Sequence, residues 1–292
     1  MRPVYHALYK LACVLGRPIG GIRPRRIYDY LGQRAFAEPE FAWFRNKYGS
    51  ELHLSHSYHI DRNILIFGCY DAELHRALEQ IVKPGNVCFD IGANMGEMTL
   101  HMAQLAGPSG AVHAFEPIPR IHDRLEKNIR RNGLKNVHLH RFALSNTNGT
   151  CRIASALSTQ DNQGLASIVN TDDKALTQRE EIAVRTLDDF VRENSIARID
   201  VMKIDIQGAE MFLLEGGKKV FGEMAPDLFI EISPQDLKGA GFDSRDLCRA
   251  LQEYGYTLVE LRNMKRTLSA DDMAPDFHAT NVYCSKSPRS AN

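Results

Sequence analysis

Residues 87–117 constrain this chain more than any other stretch. They read as an apolar run ending in Asp90, a loop Ile91-Gly92-Ala93-Asn94-Met95-Gly96, an apolar-faced helix, a second strand, and Glu116-Pro117 at its end. Strand, glycine loop, helix, strand and acid, in that order, form the first half of a nucleotide-binding α/β unit. In such a unit the loop passes close to the ligand and the acid accepts ribose hydroxyls. The spacing here is D-x-G-x-N-x-G, and not the G-x-G-x-x-G that lays a pyrophosphate on a helix N-terminus. A nicotinamide-dependent oxidoreductase would need the missing glycine. An Asp and an Asn at the loop suit a cofactor that carries an ammonium and a carboxylate, which describes S-adenosylmethionine.

The order of elements beyond Glu116 stays regular. A helix is expected over 120–132 with Gly133 as its C-cap, and a third strand over 137–142. Residues 151–169 are polar and rich in Ser, Asn and Gln, and read as an inserted hairpin or loop over the ligand site. Further strands are expected at 182–186, 199–205, 228–231, 256–261 and 281–284, with helices at 187–193 and 244–254. Alternation of this kind predicts a mostly parallel sheet covered on both faces, with ligands at the carboxyl ends of the strands. Upstream, 25–47 reads as helical, with Pro39 interrupting it. Residues 52–60 and 64–67 read as a hairpin around a polar turn at 61–63, and 72–82 as a helix. The expected organisation is a helical extension with a hairpin over 1–69 and a cofactor-binding domain over 70–292.

Composition excludes several classes. Lys plus Arg equals Asp plus Glu at 36 each, so no global field favours nucleic acid. Six scattered cysteines without a C-x-x-C pair point to a reduced, cytoplasmic compartment and no metal-thiolate site. No run approaches the ~20 apolar residues of a membrane span. Residues 1–28 hold six basic side chains and no acid, with Tyr5, Leu8, Leu11, Ala12 and Leu15 at helical spacing. That segment could lie against the inner membrane face or pack on a partner surface. His53, His56 and His59 suggest a metal only superficially, because strand residues three apart point to opposite faces.

Three acids, Asp90, Glu116 and Asp205, each end an apolar run that reads as a core strand, and on one sheet edge they would line a cleft. Glu116 falls twenty residues after Gly96, where a ribose acceptor belongs. Gly92 and Gly96 would let the backbone approach the methionine part. The segment Phe142-Ala143-Leu144 would face the adenine. For the proton of an acceptor hydroxyl, Asp205 is the first candidate base, followed by Glu231 and Glu210. His278, near the final strand, is a candidate substrate contact.

The motifs Asp90-Ile-Gly-Ala-Asn-Met-Gly96, His113-Ala-Phe-Glu-Pro117, Ala143-Leu-Ser145, Thr186-Leu-Asp-Asp-Phe190, Lys203-Ile-Asp-Ile-Gln-Gly-Ala-Glu210 and Phe229-Ile-Glu-Ile232 together resemble the FkbM-type S-adenosylmethionine-dependent methyltransferases. The resemblance covers roughly residues 70–285 and rests most on the K-I-D-x-x-G-A-E run. It implies a class I, Rossmann-like three-layer α/β sandwich, with a seven-stranded mostly parallel sheet whose last strand is antiparallel. It implies O-methylation of a hydroxyl on a sugar, glycan or polyketide-like acceptor. Asp90, Gly92, Asn94 and Gly96 would then form the methionine loop. Glu116 and Pro117 would stand at the ribose, and Ala143 and Leu144 at the adenine. One departure stands out. Gln207 replaces an acid usual in the family, and an amide can hydrogen-bond but cannot act as a base. Gln207 is either a mild change at a substrate-facing loop or the mark of a cofactor-binding scaffold that has lost catalysis.

Overall fold

Five parallel strands carry the core of the larger unit, and all but the edge strand Val137–His140 are largely buried. The computed structural model describes Leu8 and residues 40–155, 166–167, 178–264, 266–273 and 279–286. The chain divides into two compact units, Met1–Ala72 with Ala156–Leu165, and Glu73–Ser155 with Ala166–Asn292.

In the first unit, β1 (Phe41–Arg45) pairs antiparallel with β2 (Glu51–Ser55), and α1 (His59–Phe67) follows. This differs from the expected helix over 25–47 and hairpin over 52–67. Residues 41–45 are a strand, and the remainder of that expected helix lies outside the described residues. The polar triplet Asp61-Arg62-Asn63 is not a turn but sits buried within α1. Burial of the two charged side chains is tolerated because backbone groups bond them. Asp61 Oδ2 accepts the Ser55 N–H at 2.8 Å, and Arg62 Nη1 donates to the carbonyls of His56 (3.1 Å) and Ser57 (3.0 Å). Gly68, in the left-handed conformation at φ 80°, ends the helix.

The second unit begins with α2 (Ala72–Ile81), followed by β3 (Val87–Ile91), α3 (Glu97–Ala106), β4 (Ala111–Phe115), α4 (Pro119–Arg131) and β5 (Val137–His140). A smaller sheet follows: β6 (Ala143–Ser145), β7 (Gly149–Ser155), β8 (Ala166–Ser167) and β9 (Gln178–Thr186), in spatial order β6-β9-β7-β8. Next come α5 (Leu187–Glu193), β10 (Val201–Ile204), α6 (Glu210–Gly216), β11 (Asp227–Ile232), α7 (Pro234–Gly239) and α8 (Ser244–Glu253). The chain closes with β12 (Thr257–Glu260), β13 (Thr267–Leu268) and β14 (Thr280–Ser285).

The main sheet runs β13-β12-β14-β11-β10-β3-β4-β5. Strands β3, β4, β5, β10 and β11 are parallel, and β14 is antiparallel to both its neighbours. The fold is therefore the expected α/β one with its last strand reversed, except that the two-residue β13 makes the sheet eight-stranded. The polar 151–169 stretch contributes β7 and β8 to the smaller sheet. Alternation along the core strands distributes side chains between two layers. Phe89, Ile91, Met202 and Ile204 pack with α5, α6 and α8, whereas Cys88, Val112 and Val201 pack with α2 and α3. The order of strands switches between β3 and β10, and ligand crevices of such sheets open at that point.

Candidate active site

Backbone register brings the motif ends together before any side chain acts. Asp205 N–H donates to the Ile91 carbonyl at 3.0 Å, Gly92 N–H to Phe115 at 3.1 Å, and Glu116 N–H to His140 at 3.0 Å. The ends of β3, β4 and β10 are thus stitched into one edge. A Cβ on Gly92, whose φ is 78°, would lie 1.9 Å from the Asp205 carbonyl oxygen. On Gly96, at φ 96°, it would lie 2.2 Å from Leu125 Cδ1. The Gly92 backbone is thus seated directly on the Asp205 carbonyl, and Gly96 packs against the Leu125 side chain. Asn94 turns the loop with φ 50°, and its Oδ1 accepts the Met95 N–H at 2.7 Å. Asn128 Nδ2 donates to the Met95 carbonyl at 2.7 Å and holds the loop from α4.

Asp90 does not line a cleft. It is fully buried, accepts the Thr99 hydroxyl at 2.6 Å, and faces Lys203 Nζ at 3.3 Å. The register explains the pair, since Lys203 sits directly across from Asp90 on the adjacent strand. Lys203 Nζ also donates to the Gly92 carbonyl at 2.7 Å and reaches Asp205 Oδ2 at 3.4 Å. Burial would push the Lys203 ammonium down, but the carboxylates of Asp90 and Asp205 outweigh it and hold the group charged. Lys203 is the residue that the strand reading passed over. The sequence offered only a cation inside a mostly apolar run, and the acid across from it appears only in the folded sheet.

Glu116 is nearly buried. Its Oε2 accepts the Asn94 N–H and its Oε1 the Ile118 N–H, each at 3.0 Å. Burial raises its pKa to about 7, against the opposing pull of those two N–H groups and of Lys203. Each carboxylate oxygen keeps a further lone pair, so the pair of acceptors matches two ribose hydroxyls. Pro117 and Ala143 are partly exposed beside it, whereas Leu144 is buried in the core and has no face for a ligand. His278 lies outside the described residues.

Beyond β10, residues 205–210 make a tight turn with Gln207 at φ 53° and Gly208 at φ 97°. The turn aims the Gln207 amide at two acids. Its Nε2 donates to Asp205 Oδ1 at 2.8 Å and to Glu231 Oε2 at 3.0 Å. Glu231 lies one residue past the β10–β11 register pair Ile204–Ile230, next to Asp205. Burial, the Asp205 charge and a hydrogen bond with Asp205 raise Glu231 to about 8. Burial acts against Asp205 too, but Lys203, Gln207 and Glu231 together hold it below the usual carboxylate range. The two shifts run in opposite directions, so the carboxyls titrate as a pair in which Asp205 ionises first. Glu210 stands apart from them. It is buried at the start of α6, accepts the Gly208 N–H at 3.2 Å, and is raised to about 7 chiefly by burial. Its place under the turn separates it from Asp205 and Glu231, which are half-buried at the edge.

Residues 90–258 match the family model described as the Methyltransferase FkbM domain. The chain belongs to the FkbM methyltransferase family. Members of this family are S-adenosylmethionine-dependent methyltransferases, and the strand-loop-acid edge described above is the class I arrangement for that cofactor. Among curated relatives, the 2-O-methyltransferase NoeI of Sinorhizobium fredii is 29% identical over 178 residues, covering 56% of this chain and 71% of that protein. The 31-O-demethyl-FK506 methyltransferase FkbM of Streptomyces tacrolimicus is 27% identical over 227 residues, covering 68% of this chain and 81% of that protein. The AMB antimetabolite synthetase AmbE of Pseudomonas aeruginosa is 30% identical over 167 residues, and the match spans 47% of this chain but 8% of that much longer protein.

Proposed function

We propose that this FkbM-family protein transfers the methyl group of S-adenosylmethionine to a hydroxyl of a sugar, glycan or polyketide-like acceptor. The observation that carries the reading is the Asp205–Glu231 pair, bridged by the Gln207 amide at the strand edge that also holds the glycine loop. The names of NoeI and FkbM, both O-methyltransferases, support transfer to oxygen.

The bound cofactor would supply an electrophilic methyl on a sulfonium. Glu116 would hold its ribose, and the 92–96 loop would face its methionine part. Asp205 and Glu231 would orient the acceptor hydroxyl in line with that methyl. Orientation of this kind is worth effective molarities of ~10⁵ M or more. As the oxygen–carbon bond formed and the methyl–sulfur bond broke to leave a neutral thioether, the hydroxyl proton would pass to the carboxyl pair, and a positioned base adds about 10²–10⁴-fold. Lys203 keeps Asp205 ionised and so available, and the Gln207 amide keeps the two carboxyls in register. With its amide so used, Gln207 fits an active enzyme better than a scaffold.

The test combines calorimetry with S-adenosylhomocysteine and methyl-transfer assays on a panel of hydroxylated acceptors. Asp205→Asn is expected to abolish turnover while cofactor affinity stays within a few-fold. Full turnover by that variant would remove Asp205 from the mechanism, and binding without transfer by the wild type would favour a scaffold. No helix among the described residues is long and apolar enough to cross a membrane. Peripheral contact through basic residues 1–28 is a separate proposal, which sedimentation with anionic vesicles checks.

A further inference from the structure

Glu210 is the acid of the Lys203–Glu210 run that the reaction proposed above does not use. At 3% exposure it lies too deep to meet an acceptor. Its Oε1 accepts the Gly208 N–H at 3.2 Å, and its Oε2 is buried with no hydrogen-bond partner among the described residues. Burying a carboxyl is costly unless hydrogen bonds answer it. The bonds that answer this one come from backbone N–H groups of Ile206, Gly208 and Glu210 itself, so the carboxyl serves the turn it sits beneath. That turn needs holding. Gln207 adopts φ 53°, a left-handed conformation that residues other than glycine and asparagine seldom visit. At Ala209, the N-cap of α6, no side chain supplies a cap. Gly208 lies so close to α7 that a Cβ on it would stand 2.4 Å from the Asp236 carbonyl oxygen. Gly208 is therefore gripped from two sides, by the Asp236 backbone and by the Glu210 carboxyl. Gln207 is the residue beside it, and its amide reaches Asp205 at 2.8 Å and Glu231 at 3.0 Å.

From this geometry we infer that Glu210 is a positioning residue: by holding Gly208 it fixes the left-handed backbone of Gln207, and so keeps the Gln207 amide bridging Asp205 and Glu231. It touches no substrate and acts through Gln207. The inference rests on the reading of Asp205 and Glu231 as the carboxyl pair that meets the acceptor. Glu231 reports on the bridge. It is faced by Asp205 and Lys203 from β10, by Asp236 from α7, and by the Gln207 amide, which donates to its ionised form. Loss of the bridge would raise the pH at which Glu231 titrates, whereas removal of a nearby negative charge alone would lower it.

Carbon-13 NMR of the full chain, labelled at its glutamate carboxyls, tests it, with the Glu231 signal assigned by its loss in Glu231→Gln. Glu210→Ala is expected to move the Glu231 titration upward by roughly 0.5 to 1 pH unit and to lower kcat about ten-fold, while S-adenosylhomocysteine affinity stays within about three-fold. Glu210→Asp keeps the charge but shortens the reach to Gly208. It should move the titration the same way, and it is read alone where Glu210→Ala does not fold. Glu210→Gln, whose amide oxygen can still accept the Gly208 N–H, should keep the titration close to that of wild type. Gln207→Ala should reproduce the upward move, and combining it with Glu210→Ala should add nothing further. A Glu231 titration that stays put or moves down in Glu210→Ala and Glu210→Asp overturns the inference, even with a lowered melting temperature, since that marks a purely structural residue. Additive moves in the double variant overturn it too. Absence of methyl transfer by wild type counts against the acceptor reading instead, and the NMR titration, which needs no acceptor, then judges Glu210 alone.

Discussion

Gln207 shows how one side chain changes the meaning of its neighbours. An amide between Asp205 and Glu231 donates to both, whereas a third carboxylate there would repel both. Gln207→Glu is therefore expected to lower kcat by about ten-fold or more, while S-adenosylhomocysteine affinity stays within a few-fold. The same pair predicts a pH dependence. Glu231 titrates near 8, so the doubly ionised pair, which is the stronger base, grows as pH rises through that value. The kcat/KM profile should climb between pH 7 and 9, and Glu231→Gln should flatten that limb. At Glu116 the relevant value is about 7. Ribose hydroxyls donate to the ionised form, so cofactor affinity should rise from pH 6 to pH 8. Calorimetry at the two pH values checks this, with Glu116→Ala weaker by roughly ten- to a hundred-fold. Glu116 and Asp205 were legible as acids ending apolar runs. Lys203 was not, because its burial is licensed by a strand-to-strand partner that becomes adjacent only when β3 and β10 align.

At the level of elements, the parallel strands were readable because burial on both faces leaves a continuous apolar record. The hairpin was not. The 61–63 triplet looks like a turn from composition, yet Asp61 and Arg62 bond backbone groups of residues 55–57 and Asn63 bonds the His59 carbonyl, contacts that form only once the helix is in place. Strands β4 and β5 carry a further consequence. His113 faces His138 in register with ring centroids 4.8 Å apart, and its Nδ1 lies 3.1 Å from His140 Nε2. Burial and then the neighbouring imidazoles push His113 and His140 down to about 4. The unfolded chain keeps them near 6.5, so between those values it binds more protons than the fold. Their contribution is whole above pH 6.5 and is lost as pH falls toward 4. Thermal melts across that window should show a steep acid-side decline. His113→Phe, placed among Phe89, Phe115 and Phe190, should make the decline shallower.

For the molecule as a whole, a cofactor that binds only the folded chain must stabilise it. At a concentration of a hundred dissociation constants the gain is about 2.7 kcal/mol. In a chain of 292 residues that corresponds to a rise in Tm of about 5 °C. Differential scanning fluorimetry with S-adenosylhomocysteine should register it, and Glu116→Ala at the same concentration should show a much smaller shift.

The close seating of Gly92 on the Asp205 carbonyl, with Lys203 tied to both, leaves no slack between the loop proposed to meet the donor and the acid proposed to meet the acceptor. Filling the first would settle the second. The kinetic signature is ordered addition, donor before acceptor, in which the demethylated product competes with the donor and not with the acceptor.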